Sequence, residues 1–478
     1  MSKNTFENDP SAIFSAEKVV NPLKLAIPYL DKYTLIRLRL VTEMNKGIAG
    51  KLTLISAPPG FGKTTLIGQW AAQADQKYAY LALDEFDNDP AVFFRNLLAC
   101  LQKINKKFGE GLLKMLQSGS AVSMETVLKQ LVAQMGMVLS NYAVIFDDYH
   151  RIAAAPVHNM IAFLLAHLPP QAHLVISSET DPPFELSQLR ASGLLKEIRA
   201  PYLTFTMDEA QALFKTVMQL QMPFGDITAL VVRTQARPAA LKYAALCLTR
   251  YSNLSEFVAE FENDERDAEV FLMEILLKNQ LEAVQRFVPQ IAGLDWINPA
   301  LAAQVTEEKS GGKMMRTLSE AGEFVVALPD GWFAMKPSVR SILLQRLREK
   351  KPEKLSELHQ RAGEWHSKNG SVFFAIKHAL AAEDYSRAAQ LIETHAMEML
   401  QNGFLVTING WLAALPESII EKRPMLSIIL AWVKIIANDR NAVEAHLQNA
   451  LKARENAPDL PEIDAHVNLI REYFDEKK

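Results

Sequence analysis

The chain has 478 residues, more than a single hydrophobic core organises, so roughly two to four domains are expected. Apolar residues make up 49% and charged residues 22%, the balance of an ordinary globular protein. A net charge of −4 argues against general attraction to nucleic acid or anionic membrane, and two cysteines exclude a disulfide framework or a CxxC metal site.

Residues 1–24 read as a flexible polar arm, and the opening MSKNTFENDP has no apolar signal core. From Ile27 to Asn45 apolar and basic residues mix, with Ile36 and Arg37 just before a predicted helix. Leu52–Ser56 reads as a strand and Thr64–Ala74 as a helix. Tyr78–Leu83 alternates as a second strand. The acidic turn Asp84–Asp89 then leads into Pro90–Ile104, whose apolar residues recur at helical spacing and include Cys100. Tyr142–Phe146 is a short apolar strand ending in Asp147 and Asp148. His173–Ser177 is another, followed by a turn over residues 178–183. Strands alternating with helices over residues 25–200 predict a parallel sheet with helices on both faces.

The texture changes at Pro201. Thr206 followed by Glu209 is a capping-box signature, and helices over residues 201–262, with Cys247 among their apolar positions, form a predicted lid. The charge run 263–269, "NDERDAE", reads as a solvated linker or a helix start. Helices and then two short strands about Pro329-Asp330-Gly331 predict a winged helix over 263–350. From 351 to 478 the text is helical. Ala381–Ala389 reads as a turn between antiparallel helices, and Ile436–Ala442 echoes it, which points to a helical-repeat, TPR-like segment. Trp365 and His366 at its start read as packing residues. The longest apolar stretch, Leu426–Ala437, is broken by Lys434 and is too short to span a bilayer, so no membrane partner is expected and the cytoplasm is the expected location. The fold class is thus α/β plus all-α: a P-loop parallel-sheet domain, a helical lid, a winged helix and the start of a helical solenoid.

Ala57-Pro58-Pro59-Gly60-Phe61-Gly62-Lys63-Thr64 fits a phosphate-binding loop with alanine at its first position. Gly60 and Gly62 let backbone N–H groups turn onto phosphate oxygens, and the helix that follows, through Thr65, adds its positive dipole end. Lys63 would reach the β- and γ-phosphates, and the Thr64 hydroxyl would ligate Mg²⁺. Val144-Ile145-Phe146-Asp147-Asp148 matches the second motif of such enzymes. Asp147 would hold Mg²⁺ through water, and Asp148 would orient or deprotonate the attacking water. His150, two residues on, reads as a packed loop residue.

The phrases KLTLISAPPGFGKTTLIGQW, YAYLALDEFDNDPAVFFRNLLA, VIFDDYHRI and DPPFELSQLRASGLLKEIRAPYLTFTMDEAQALF resemble the large ATP-dependent LuxR-type regulators, the MalT-like group of the STAND signal-transducing ATPases. The resemblance runs from about Leu25 to the C-terminus. It implies a protein in which ADP holds a closed form, while inducer plus ATP opens it and drives self-assembly. ATP or ADP with Mg²⁺ is the implied cofactor, with at most slow hydrolysis. Pro238 matches the lid position that packs on adenine. Arg37 matches an arginine lining the nucleotide pocket, an ordinary surface arginine being the other reading.

Several positions depart from the family pattern. Glu179 stands where an arginine usually follows serine, which places a carboxylate near the expected γ-phosphate unless it points to solvent. Lys336 falls where a histidine touching the β-phosphate is expected, and is either a substitute cation or a solvent-facing lysine. No helix-turn-helix follows the repeats, so no direct specific DNA binding is expected of this chain. Self-association or a protein partner through the C-terminal helices is expected instead. The rival readings are an ordinary P-loop ATPase with sustained turnover and an interaction scaffold that binds nucleotide weakly.

Overall fold

The computed structural model describes residues 20–112, 115, 123–251, 253–264, 267–437, 439–454 and 461–475. The expected arm of residues 1–24 lies largely outside them, as does Asn438 of the second repeat-like turn. Two compact units divide the chain. One comprises Asn21–Glu85 and Asn96–Leu355, and the other gathers Phe86–Arg95 with the chain from Ser356 onward.

In the first unit, five apolar runs become a parallel sheet. Its strands are β1 (Leu52–Ser56), β2 (Lys77–Ala82), β3 (Tyr142–Asp147), β4 (Ala172–Ser178) and β5 (Leu195–Arg199), in the order β2-β3-β4-β1-β5. All four pairings are parallel. Every residue of β1, β3 and β4 is buried, as strands covered on both faces require. The strand β4 separates β1, which leads into the glycine loop, from β3, which ends in Asp147. Three strand ends therefore meet at one edge, with Ser56 in register with Ser178. Trp70, Ile67, Ile55, Ile145 and Val175 close the core beneath the loop.

The strand β5 has no counterpart among the expected elements. "LKEIR" carries three charges in five residues, so no apolar run announces it. It is an edge strand whose charges pair with neighbours: Glu197 with Arg190 at 2.9 Å, and Arg199 with Asp181. Helices Leu38–Gly47, Lys63–Ala71, Met124–Gly136 and Ala155–Ala166 complete this part of the unit.

Thr206 and Glu209 form both hydrogen bonds of the capping box. Helices Phe224–Arg233, Pro238–Leu248 and Leu254–Asn263 follow, and Cys100 and Cys247 are buried free thiols. The next stretch carries helices Ala268–Lys278, Glu282–Gln290, Pro299–Thr306 and Gly311–Glu320. It then forms an antiparallel pair, β6 (Val325–Ala327) and β7 (Phe333–Met335), around the expected Pro-Asp-Gly turn. The last residues of the charge run start a helix: Asp267 accepts from the N–H groups of Glu269 and Val270. The run is not solvated throughout, because Glu269 is buried.

In the second unit the described chain is helical. Helix Val372–Ala381 turns into Tyr385–Gln401 with Asp384 capping the latter, and Leu405–Ala413, Pro424–Ile436, Arg440–Arg454 and Pro461–Asp475 follow. Trp365 and His366 are buried, with the His366 ring stacked on Phe374. The segment Phe86–Arg95 is built into this unit. Val92 lies in its core, and the Phe86 ring meets Phe373 and Phe374 edge-on at 5.4 Å each. Asp89 accepts from the Thr407 N–H at 3.1 Å, and Arg95 donates to the Asn402 carbonyl at 2.7 Å. Among the described residues no helix is long and apolar enough to cross a membrane.

Candidate functional site

After β1 the chain turns through Ala57–Gly62. Gly60 at φ 81° and Gly62 at φ 78° adopt the left-handed conformation that side chains disfavour. Gly62 is the N-cap of helix Lys63–Ala71 and brings no side chain to the first-turn N–H groups. Those donors and the helix dipole make the loop an anion cradle. Ala57 is buried, Pro59 is exposed, and Phe61 packs partly on the core. Thr65, partly exposed, lies in the helix's first turn.

The Lys63 ammonium is buried and donates to the Ala57 carbonyl at 2.7 Å and the Pro58 carbonyl at 3.2 Å. Burial pulls its pKa down, and the charges of Glu179, Asp148 and Asp147 oppose that fall. Thr64 donates to Asp147 Oδ2 at 2.7 Å, uniting the two expected metal-binding residues. Two residues that the sequence reading did not single out fix the same carboxylate. The Tyr80 hydroxyl donates to Oδ2 at 2.9 Å, and the Ser177 hydroxyl donates to Oδ1. Burial and the Asp147 charge push the Tyr80 phenol well up, so it stays a donor.

Asp148 has φ 58°, a backbone setting uncommon for a residue with a side chain. Burial and the neighbouring Asp147 push its carboxyl up to about 7, while Arg151 and Lys63 pull it down. Glu179, one-third exposed at the end of β4, pairs with His150 Nε2 at 3.3 Å. Its charge is felt by Lys63 and by Asp148, so Glu179 stands at the loop's edge of the sheet. His150 is therefore a neighbour of Glu179 at this edge as well as a packed loop residue, and burial pulls its imidazole's pKa down.

The helices after residue 200 reach the loop directly. Pro238 opens helix Pro238–Leu248, and the Ala239 N–H donates to the Gly60 carbonyl at 3.0 Å. Glu269, from the first turn of helix Ala268–Lys278, also faces Gly60.

Two expected placements change. Arg37 is buried, and its guanidinium donates to the Leu203 carbonyl at 2.7 Å, the Thr204 carbonyl at 2.6 Å and Glu209 at 2.9 Å. It also lies over the Phe205 ring. Arg37 is thus not an ordinary surface arginine but holds the segment from Leu203 to Glu209, while neighbouring Ile36 is exposed. Lys336 is not a solvent-facing lysine. It donates to the Gly322 carbonyl and lies 3.4 Å from Asp31, which also takes both bonds of Lys242 at 2.6 Å. Burial drives the Lys336 ammonium down to about 7.

The family model described as "MalT winged helix domain" matches residues 272–355. The HTH-type transcriptional regulator MalT of Yersinia enterocolitica is 29% identical over 441 residues, covering 91% of this chain and 48% of that protein. The chain is related to the MalT-like regulators. The serine/threonine-protein kinase PknK of Mycobacterium tuberculosis is 27% identical over 431 residues, 89% of this chain and 39% of that protein. The chain therefore spans about half, or less, of the length of these MalT and PknK relatives. A solved STAND protein with a tetratricopeptide repeat sensor from Pyrococcus horikoshii shares the fold. Its TM-score is 0.69 at 14% identity, over 95% of this chain and 66% of that one.

Proposed function

We propose that this chain is an ATP/ADP-binding switch of the STAND type, in which the bound nucleotide sets conformation and self-assembly, with slow hydrolysis at most. One observation carries the reading. At Gly60 the phosphate loop, the lid and the winged-helix segment converge, with the Ala239 N–H on its carbonyl and Glu269 beside its Cα. A ligand on the loop acts on both later segments through this residue.

The donor set fits a nucleotide with Mg²⁺. The loop's free first-turn donors and Lys63 would hold phosphates, and Pro238 would lie beside the base. Thr64 and Asp147, already joined by a hydrogen bond, would hold the ion. Among the described residues no group of three His, Cys, Asp or Glu side chains is placed to bind a metal. The ion would therefore need phosphate oxygens among its ligands and would arrive with the nucleotide. Asp148 would face the attacking water. Burial and the neighbouring Asp147 push its carboxyl up, which makes it a candidate base for that water. The helices after residue 356 would carry self-association or a protein partner, in the cytoplasm, without direct sequence-specific DNA binding by these residues.

Purified protein is denatured and its released nucleotide chromatographed, and the ADP- and ATP-loaded forms are compared by sedimentation. Retained ADP and a larger species with ATP are expected. No retained nucleotide and no difference in size would overturn the switch.

A further inference from the structure

Glu269 is 7% exposed, and its Oε1 accepts no hydrogen bond. Its nearest cation, Arg237, lies at 3.3 Å and also serves Asp267 at 3.2 Å. Both Glu269 oxygens face the phosphate loop: a Cβ placed on Gly60 would lie 2.8 Å from Oε1 and 3.4 Å from Oε2. Position 60 is thus restricted to glycine twice, by its φ of 81° and by this carboxylate. Burial without a donor raises the Glu269 carboxyl, and Arg237 opposes the rise. An under-paired buried carboxylate against a loop built to attract anions has one evident counterpart, the charge of that anion.

Taking the nucleotide reading above as given, we propose that Glu269 is a specificity-determining residue of the site. It opposes phosphate charge at the loop and penalises the triphosphate more than the diphosphate. It yields to either by moving with helix Ala268–Lys278, which carries the message into the winged-helix segment. Arg237, shared between two carboxylates, is the counter-ion that phosphate competes for.

The test uses the full chain stripped of nucleotide and titrated calorimetrically with Mg-ATP and Mg-ADP. Wild type is compared with Glu269→Gln, Arg237→Gln and Lys63→Ala. Glu269→Gln keeps the shape and removes the charge. It should raise ATP affinity about tenfold and ADP affinity less, while Arg237→Gln lowers both. Unchanged affinities in Glu269→Gln overturn the proposal. Hydrogen exchange on wild type provides a check that needs no variant to fold: adding ADP or ATP should alter protection across residues 267–278, and unaltered protection there also overturns it. Failure of the underlying reading looks different. Wild type then binds neither nucleotide, or Lys63→Ala binds both as well as wild type does. Binding that needs Lys63 but ignores Glu269 overturns only the present inference.

Discussion

Asp89→Ala should loosen two helix starts at once. Asp89 is 1% exposed. Its Oδ1 accepts the Ala91 N–H at 3.0 Å, at the start of Pro90–Leu101. Its Oδ2 accepts the Thr407 N–H at 3.1 Å, in the first turn of Leu405–Ala413. That second helix has Phe404 at its N-cap and no side-chain cap of its own. Losing a capping side chain costs about 1 kcal/mol, and two are lost. Leaving the half-buried Thr407 N–H without its acceptor adds up to about 1 kcal/mol. At the start of Leu405–Ala413 the loss is therefore about 2 kcal/mol, or roughly thirtyfold in the local opening equilibrium. Hydrogen exchange resolved to peptides reads this directly. Protection over 405–413 should fall roughly thirtyfold, and in Asp89→Asn, which keeps one acceptor, it should fall by less. Protection within about threefold of wild type in the alanine variant would show that Asp89 is not the cap.

Lys63→Ala should abolish or badly weaken binding of both ATP and ADP by calorimetry, and unchanged affinity would refute the phosphate-loop assignment. Asp147→Asn should lower affinity more with Mg²⁺ than with chelator, because the carboxylate acts through the ion; equal losses would make its role structural. Glu179→Arg should raise ATP affinity relative to ADP by about tenfold, and a constant ratio would mean the His150 pair keeps this position away from phosphate. For Lys336 the sign follows from its depressed folded pKa of about 7 against an ordinary 10.5. Between these values the unfolded chain binds the extra proton, so stability rises with pH by up to about 1.4 kcal/mol per unit. Denaturant unfolding from pH 7 to 10 should show that slope in wild type and lose it in Lys336→Met.

The phosphate loop, the carboxylates after β3 and the parallel sheet were legible because each rests on a local pattern. An apolar run makes a buried strand, and two glycines and a lysine make a cradle wherever they follow one. What stayed hidden depends on distant partners. β5 carries three charges that are balanced by Glu43, Asp181, Arg190 and each other. Arg37 and Lys336 have ordinary sequence surroundings. Their roles appear only once Glu209 and Asp31, 172 and 305 residues away, are brought to them. Glu269 misled most. A run of charges reads as solvated when taken together, yet one member of it turns inward onto the loop. Tyr80 and Ser177 were invisible for the opposite reason, being unremarkable residues of buried strands whose hydroxyls happen to meet at Asp147.

The segment Phe86–Arg95 bears on how the protein is made. Asp89 and its partner Thr407 are 318 residues apart in sequence. At about 5–20 residues per second a ribosome needs roughly 15–60 seconds to supply the second after the first. Once residues 142–147 are made β2 can pair with β3, while the core that Phe86 and Val92 join still awaits Ala375–Leu426. The nascent chain therefore carries two apolar side chains whose core is completed only by its C-terminal helices, a natural handle for a chaperone. Fragments follow the same logic. A cut at residue 355 leaves those side chains in the N-terminal piece without that core and deprives the C-terminal piece of Val92 and of the cap on Leu405–Ala413. Supplying residues 86–95 as a separate peptide is the economical way to restore the latter.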